Sequence, residues 1–227
     1  MSTLTRLRLS SIKARLSSFS PCEISDALIK LSVPHGGHIP DIHMVSPAAS
    51  NSNVRICSPA YTVQMVHASN TMAPKLSAHF VDTAPEDSVV VIDAPPDTKS
   101  AVWGGLMSAG ALARGATGVI ISGRCRDLGE HRKLAFPVFS RGHSTLAVNV
   151  PLTIYPQGPG ADTFPPVTIN PGDWMIADED GVVCVPRDLE SQVIDLATRG
   201  REIDERCMED IKAGKGVQES FKLHRGK

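Results

Sequence analysis

Trp103 to His131, WGGLMSAGALARGATGVIISGRCRDLGEH, is the stretch whose reading decides the fold. Leu106 to Arg114 is built of good helix formers and meets Gly115, a residue type that ends helices. Thr117 to Ser122 is short and largely apolar, as a buried strand is. Upstream, Val89 to Asp93 is a second such run, closing on Asp-Ala-Pro-Pro. Strand, helix and strand with short connections make a βαβ unit, which requires parallel strands and a right-handed crossover. That geometry brings the helix start and the end of the second strand to one edge of the sheet. The backbone N–H groups around Gly104, Gly105, Leu106 and Met107 then face the loop carrying Arg124, Arg126 and Asp127.

Those residues suggest a binding site. Unpaired N–H groups at a helix start, approached closely over two glycines, cradle an anion. Arg126 adds a forked donor for a carboxylate or phosphate. Asp127 offers a hard oxygen suited to Mg²⁺ or Mn²⁺, ions that take few protein carboxylates and fill their remaining positions with water and substrate. An Arg-Asp pair by itself reads more simply as a capped, solvated loop. Its place at the C-terminal edge of a parallel sheet, where such folds bind ligands, sets a binding site level with that reading.

Gly104-Gly105-Leu106, Gly115 to Ile120, Gly123-Arg124-Cys125-Arg126-Asp127 and Phe136-Pro137-Val138-Phe139 together resemble the RraA-like proteins. That family joins the regulator of ribonuclease activity A to the class II 4-hydroxy-4-methyl-2-oxoglutarate aldolases, many of which also decarboxylate oxaloacetate. The likeness extends to Tyr61-Thr62-Val63 with Asn70, and to Pro171 to Trp174 and Ala177 to Val183, within Ser25 to Gly214. It implies an α/β fold of the swivelling β/β/α type, with a mostly parallel central sheet, flanking helices and a C-terminal helix. One domain would span 1–227, its core at about 20–187 and a helix and tail over 188–227.

The resemblance also implies chemistry: a divalent-metal-dependent lyase for small 2-oxo acids, working by oxaloacetate decarboxylation or retro-aldol cleavage. Asp127 would hold Mg²⁺ or Mn²⁺ and act with Arg126 in catalysis, and the substrate would meet Arg126, Asn70, Gly104, Gly105, Leu106 and Met107. The assembly implied is a homotrimer or hexamer, in which Glu205 or its neighbour Asp204 reaches the metal of the adjacent subunit. Two other readings stand beside it: a non-catalytic regulatory protein, and a diverged enzyme on a related oxo acid in specialised metabolism. In one respect the chain departs from the pattern. Active aldolases of the family carry an Asp, twenty residues and then the Arg-Asp pair, which places that Asp at position 105, where this chain has glycine. The expectation is weak aldol cleavage, less impaired decarboxylation, and a gain from Gly105→Asp.

At 227 residues and 41% hydrophobic content, the chain can bury a substantial core as one domain. A net charge of −1 lacks the basic excess that binds nucleic acid irrespective of sequence. The five cysteines are odd in number, widely spaced and form no CxxC pair, which disfavours a disulfide framework or zinc ribbon and suits a reducing, cytoplasmic setting. No apolar run reaches the roughly 18 residues of a membrane span. Met1 to Leu16 is basic and acid-free, compatible with a transit peptide, yet Leu4, Leu7, Ile12 and Leu16 more simply describe an amphipathic first helix.

Along the rest of the chain, Ser20-Pro21-Cys22-Glu23 predicts a capped helix running to about Leu31. Val33 to Ser52 reads as a surface loop with a short ordered piece near Ile39 to Val45, and its His35, His38 and His43 as ordinary loop residues rather than metal ligands. Tyr61 to Val66 reads as a strand, and Asn70 as the N-cap of a helix through Phe80. Pro137 to Phe139 and Val148 to Ile154 read as strands separated by a turn at Arg141 to Ser144, followed by an irregular crossover over Pro156 to Pro166. Trp174 to Ala177 and Gly181 to Val185 form a hairpin around a solvated acidic turn, Asp178 to Asp180. Leu189 to Lys212 has the period of a long amphipathic helix with an acidic outer face, and Gly214 to Lys227 is a basic tail, docked or mobile.

Overall fold

The computed structural model describes residues 3–47, 54–67, 70–74, 76–146, 167–178, 181–213 and 217–226. The first half comprises α1 (Thr3–Leu16), α2 (Pro21–Lys30), β1 (His43–Ser46), β2 (Ile56–Gln64), β3 (Val89–Asp93), β4 (Ala101–Trp103) and α3 (Gly105–Ala113). Then follow β5 (Gly118–Cys125), α4 (Leu128–Lys133), β6 (Val138–His143), β7 (Trp174–Asp178), β8 (Gly181–Val185), α5 (Glu190–Lys212) and α6 (Val217–Arg225).

The βαβ unit forms as the sequence predicts. β3 and β5 pair in parallel from Val89 opposite Gly118 to Asp93 opposite Ser122, and α3 crosses between them. Gly115, at φ +77°, takes the left-handed conformation that turns the chain out of α3. The sheet order is β1-β6-β5-β3-β2-β7-β8, with β4 alongside β5. Pairing is parallel between β2 and β3, β3 and β5, β4 and β5, and β5 and β6, while the margins are antiparallel.

β2 serves two partners in succession. Ile56 to Pro59 pair with β7, and Ala60 to Gln64 pair with β3. The sheet curls accordingly, so that Met175, Ala177 and Val182 share a core with Val89, Val91, Ile120 and Phe139. On the other face of the parallel strands, Val90, Ile92, Val119 and Ile121 pack with Trp103, Ala111 and Phe136. A third core closes the far side, where Ile24, Leu28, Val193 and Ala197 cover Trp174, Ile176, Val183 and Val185. Leu16, Ile24 and Leu28 are fully buried there. Each such side chain contributes about 1.5–3 kcal/mol.

The capping box of α2 is complete: the Glu23 amide donates to Ser20 Oγ at 3.3 Å, and the Ser20 amide to Glu23 Oε2 at 2.8 Å. Arg201 of α5 adds Nε to Glu23 Oε1 at 2.5 Å and lies over the Phe19 ring, fastening α5 to the helix start.

Several expectations need correction. No helix forms over residues 70–80 among the described residues; they are turns, and Asn70 donates its N–H to the His67 carbonyl instead of capping. Pro74 disfavours a helix there, and Met72 and Leu76 stay exposed, so no apolar face is available to hold one. Arg141 to His143 belong to β6, not to a turn, because β5 extends far enough to pair with them. The surface-loop reading of Val33 to Ser52 fails at Gly36 and Gly37, which are buried, whereas the ordered piece expected near Ile39 to Val45 is present, with Ile39 and Ile42 buried and β1 following. Asp178 is not a solvated turn residue but a buried carboxylate that accepts from Arg55 Nε at 3.0 Å. The tail forms α6, tied to α5 by Arg225 to Asp204 and His224 to Asp210. The strand expected over Val148 to Ile154 and the crossover over Pro156 to Pro166 lie outside the described residues. Among the described residues no helix is long and apolar enough to cross a membrane.

Candidate active site

The C-terminal edge of the parallel strands gathers β4, the first turn of α3, the end of β5 and the first turn of α4. Gly104 is the extended N-cap of α3 and has no side chain with which to cap it. Asp127 supplies the missing acceptor from the next loop, with Oδ2 3.0 Å from the Gly105 amide. Its own backbone is left-handed, φ 63° and ψ 43°, a conformation that Asp tolerates better than most residues. Arg126 is anchored through its amide to the Trp103 carbonyl at 2.9 Å, and its Nε lies 3.4 Å from Asp127 Oδ2. Both side chains are partly exposed, 41% and 35%, so the pair can meet a ligand from solvent. Among the described residues nothing accepts from the Nη groups of Arg126.

The two glycines are there for space. A Cβ on Gly104 would sit 2.8 Å from Asp127 Oδ2 and 3.2 Å from Arg126 Nε. A Cβ on Gly105 would overlap the carboxylate of Glu130, with Cβ and Cδ of that residue 2.8 Å away. The expected gain from Gly105→Asp therefore meets an obstacle, since the volume an aspartate would need already holds Glu130.

The cradle is narrower than the sequence implied. The Gly105 N–H is taken by Asp127, and those of Met107 and Ser108 both reach the Gly104 carbonyl at 3.1 Å. Leu106 keeps an N–H for which no acceptor is found among the described residues, beneath a side chain that is 86% exposed. Arg124 turns away, its Nη1 donating to the His143 carbonyl at 3.1 Å. Asn70 is exposed on its turn, with no bond to Arg126 or Asp127 among the described residues.

Behind the edge lies a buried polar relay that sequence reasoning missed. Trp103 Nε1 donates to Ser108 Oγ at 2.7 Å, and that oxygen lies 2.9 Å from His131 Nδ1. It joins β4, α3 and α4. Burial lowers the pKa of His131, with the Arg126 backbone and the Asp127 and Glu130 carboxylates opposing, so the ring is held towards its neutral form. On the opposite face of the sheet, Asp93 ends β3 in a dry setting. Burial pushes its carboxyl up to about 7, against the Ser122 hydroxyl and Arg141, and neither oxygen reaches hydrogen-bond geometry with a partner among the described residues. An acidic residue closing an all-apolar strand at the C-terminal edge of the sheet, where folds of this kind bind ligands, was the signal that could have found it.

His35, His38 and His43 do not assemble a metal centre, and among the described residues no group of three or more His, Cys, Asp or Glu side chains is placed to hold a metal ion. Glu205 is exposed on α5, and Asp204 beside it is held by Arg225 Nη2 at 2.6 Å.

Comparison with known proteins gives a consistent picture. Residues 21–184 match the family described as RraA-like: Aldolase/RraA. A protein of Halalkalibacterium halodurans named "Putative 4-hydroxy-4-methyl-2-oxoglutarate aldolase" is 31% identical over 163 residues, which are 68% of this chain and 71% of that protein. Protein DlpA of Legionella pneumophila is 29% identical over 208 residues, 91% of this chain, and the chain spans 32% of its length. The crystal structure of an uncharacterized protein from Pseudomonas syringae pv. tomato is similar with a TM-score of 0.77 at 27% identity, covering 94% of each chain. Streptomyces coelicolor RraAS2, described as an unusual member of the RNase ES inhibitor RraA protein family, shares the fold with a TM-score of 0.69 at 18% identity, over 86% of this chain and 95% of that one.

Proposed function

The chain belongs to the RraA-like family, and from that premise we propose that it is a divalent-metal-dependent lyase for small 2-oxo acids. The candidate reactions are decarboxylation of oxaloacetate and retro-aldol cleavage of 4-hydroxy-4-methyl-2-oxoglutarate. Both break the C3–C4 bond and leave the enolate of pyruvate, so one site can serve both. The observation that carries the reading is the placing of Arg126 and Asp127 against the glycine start of α3, open to solvent at the ligand-bearing edge of the sheet.

The side chains present fit a Mg²⁺ or Mn²⁺ ion that draws most of its coordination from water and substrate. Asp127 accepts from the Gly105 amide through Oδ2, and its carboxylate would hold the ion. When bound, the ion supplies Lewis acidity toward the 2-oxo group. Arg126 pairs its Nη groups with the C1 carboxylate of the substrate, and the Leu106 N–H gives that end a further donor. Both donors stay fixed while charge moves from C3 to the 2-oxo oxygen, so no reorganisation accompanies bond breaking.

In the assembly we propose, a ring of three chains or a pair of rings, Glu205 of α5 approaches the adjacent subunit's site, because Arg225 already engages Asp204. The proposal is tested by pyruvate release from both substrates with Mg²⁺ or Mn²⁺ and with chelator, alongside sedimentation equilibrium. Metal-dependent release is expected. Release from neither substrate would favour a regulatory role, and a monomer at micromolar concentration would remove Glu205 from the site.

A further inference from the structure

We infer that Glu130 is a further catalytic carboxylate of this site, and that Gly105 is the residue that seats it. The inference rests on the lyase reading above and names the group that handles the proton. Glu130 lies in the first turn of α4, where its amide donates to the Asp127 carbonyl at 2.9 Å. Its side chain crosses to α3 and fills the volume that any side chain at 105 would need, with its Cβ and Cδ each 2.8 Å from a Cβ built there. A glutamate lying over a helix start in this way requires glycine beneath it.

The two carboxylates at that helix start have different partners. Asp127 Oδ2 accepts from the Gly105 amide and faces Arg126, so its charge is committed. Glu130 is exposed, and no hydrogen bond to its carboxylate is found among the described residues. An exposed, uncommitted carboxylate beside a committed one at the same backbone position is suited to passing a proton rather than holding an ion. The substrate class that uses it is a 4-hydroxy-2-oxo acid whose C1 carboxylate lies on Arg126.

The step balances without any co-reactant. Glu130 takes the proton of the C4 hydroxyl, and the C4 oxygen becomes a carbonyl as the C3–C4 bond breaks. The bonding pair moves to C3 and C2 as the enolate of pyruvate. The protonated Glu130 then returns the same proton to C3, which releases pyruvate and restores the carboxylate. Decarboxylation of oxaloacetate needs no hydroxyl proton removed, so it depends on Glu130 only in the final protonation, for which water is an alternative donor.

The test uses the full chain with Mg²⁺ and compares the native protein with Glu130→Gln, Gly105→Ala and the double variant. Glu130→Gln is expected to lower aldol cleavage about 10²–10⁴-fold. Decarboxylation should change by less than about tenfold. Pyruvate affinity by calorimetry should be nearly unchanged, and exchange of pyruvate methyl protons in D₂O, followed by NMR, should slow with the aldol reaction. Gly105→Ala displaces the same carboxylate, so it should reproduce that pattern, and the double variant should be no worse than either single one. Equal aldol turnover and exchange in Glu130→Gln would overturn the inference. A native protein that decarboxylates but does not cleave the aldol would also overturn it while leaving the lyase reading intact. A native protein with neither activity would overturn both.

Discussion

Asp127 caps a helix that is not its own: its backbone heads α4, while its Oδ2 takes the Gly105 N–H that opens α3, at 3.0 Å. One residue thereby fixes the spacing of two helix starts, and the consequences of replacing it can be worked out.

Asp127→Asn keeps an oxygen that can accept from Gly105 and a residue type that tolerates the left-handed backbone. The fold should therefore survive, with a melting temperature within a few degrees of native, because the group lost is partly exposed. Metal-dependent pyruvate release should fall at least a hundredfold, and Mn²⁺ affinity by calorimetry should fall with it. Full turnover in the variant would place the ion elsewhere.

Arg126→Lys removes the planar fork but keeps the charge. The expected result is a KM raised about tenfold or more with a smaller change in kcat, since ground-state and transition-state contacts to the carboxylate are lost together. Steady-state kinetics on oxaloacetate decide it, and an unchanged KM would move the carboxylate contact off this residue.

Asp93→Asn should change stability in a pH-dependent way. The folded carboxyl is raised from 3.8 to about 7 by burial. A raised carboxyl contributes most below its unfolded value and loses that contribution as pH rises to the folded one, at roughly 1.4 kcal/mol per pH unit. The variant, which never ionises, should melt several degrees above the native protein at pH 8 and close to it at pH 4. An equal difference at both values would show that Asp93 folds already paired.

Ser20→Ala removes one half of the reciprocal cap on α2 and should cost about 1 kcal/mol. For a chain of this size that is a fall of about 2–4 °C in Tm. Differential scanning calorimetry measures it. Retention of the native Tm would mean that the Arg201 contacts to Glu23 hold the helix start without the serine.

The parts legible in the sequence were those whose causes are local. β3, α3 and β5 could be read because apolar runs, helix formers and Gly115 act within a few residues of one another. The Arg126-Asp127 pair was legible for the same reason, as was the hairpin of β7 and β8. β4 was not, because three residues carry no period, and its only warrant is pairing with β5. The residues 70–80 misled because Asn70 offers a good cap, although nothing downstream buries a helical face. Glu130 and Asp93 escaped because a carboxylate's role depends on what the fold sets opposite it. For Glu130 that is the bare backbone of Gly105, and for Asp93 it is a dry strand end, neither of which is written next to it in the chain.

The relay from Trp103 through Ser108 to His131 has one further consequence. It locks three elements together behind the edge that displays Arg126 and Asp127, and all three of its residues are buried. The conformational entropy of arranging that edge is therefore lost once, when the chain folds, and not again at each encounter with a ligand. A small anion of the kind proposed has few contacts with which to offset an ordering cost, so a rigid receptor would favour its binding. Loosening the relay, as Ser108→Ala would, should appear as a less favourable binding entropy at a site whose contacting side chains are all still present.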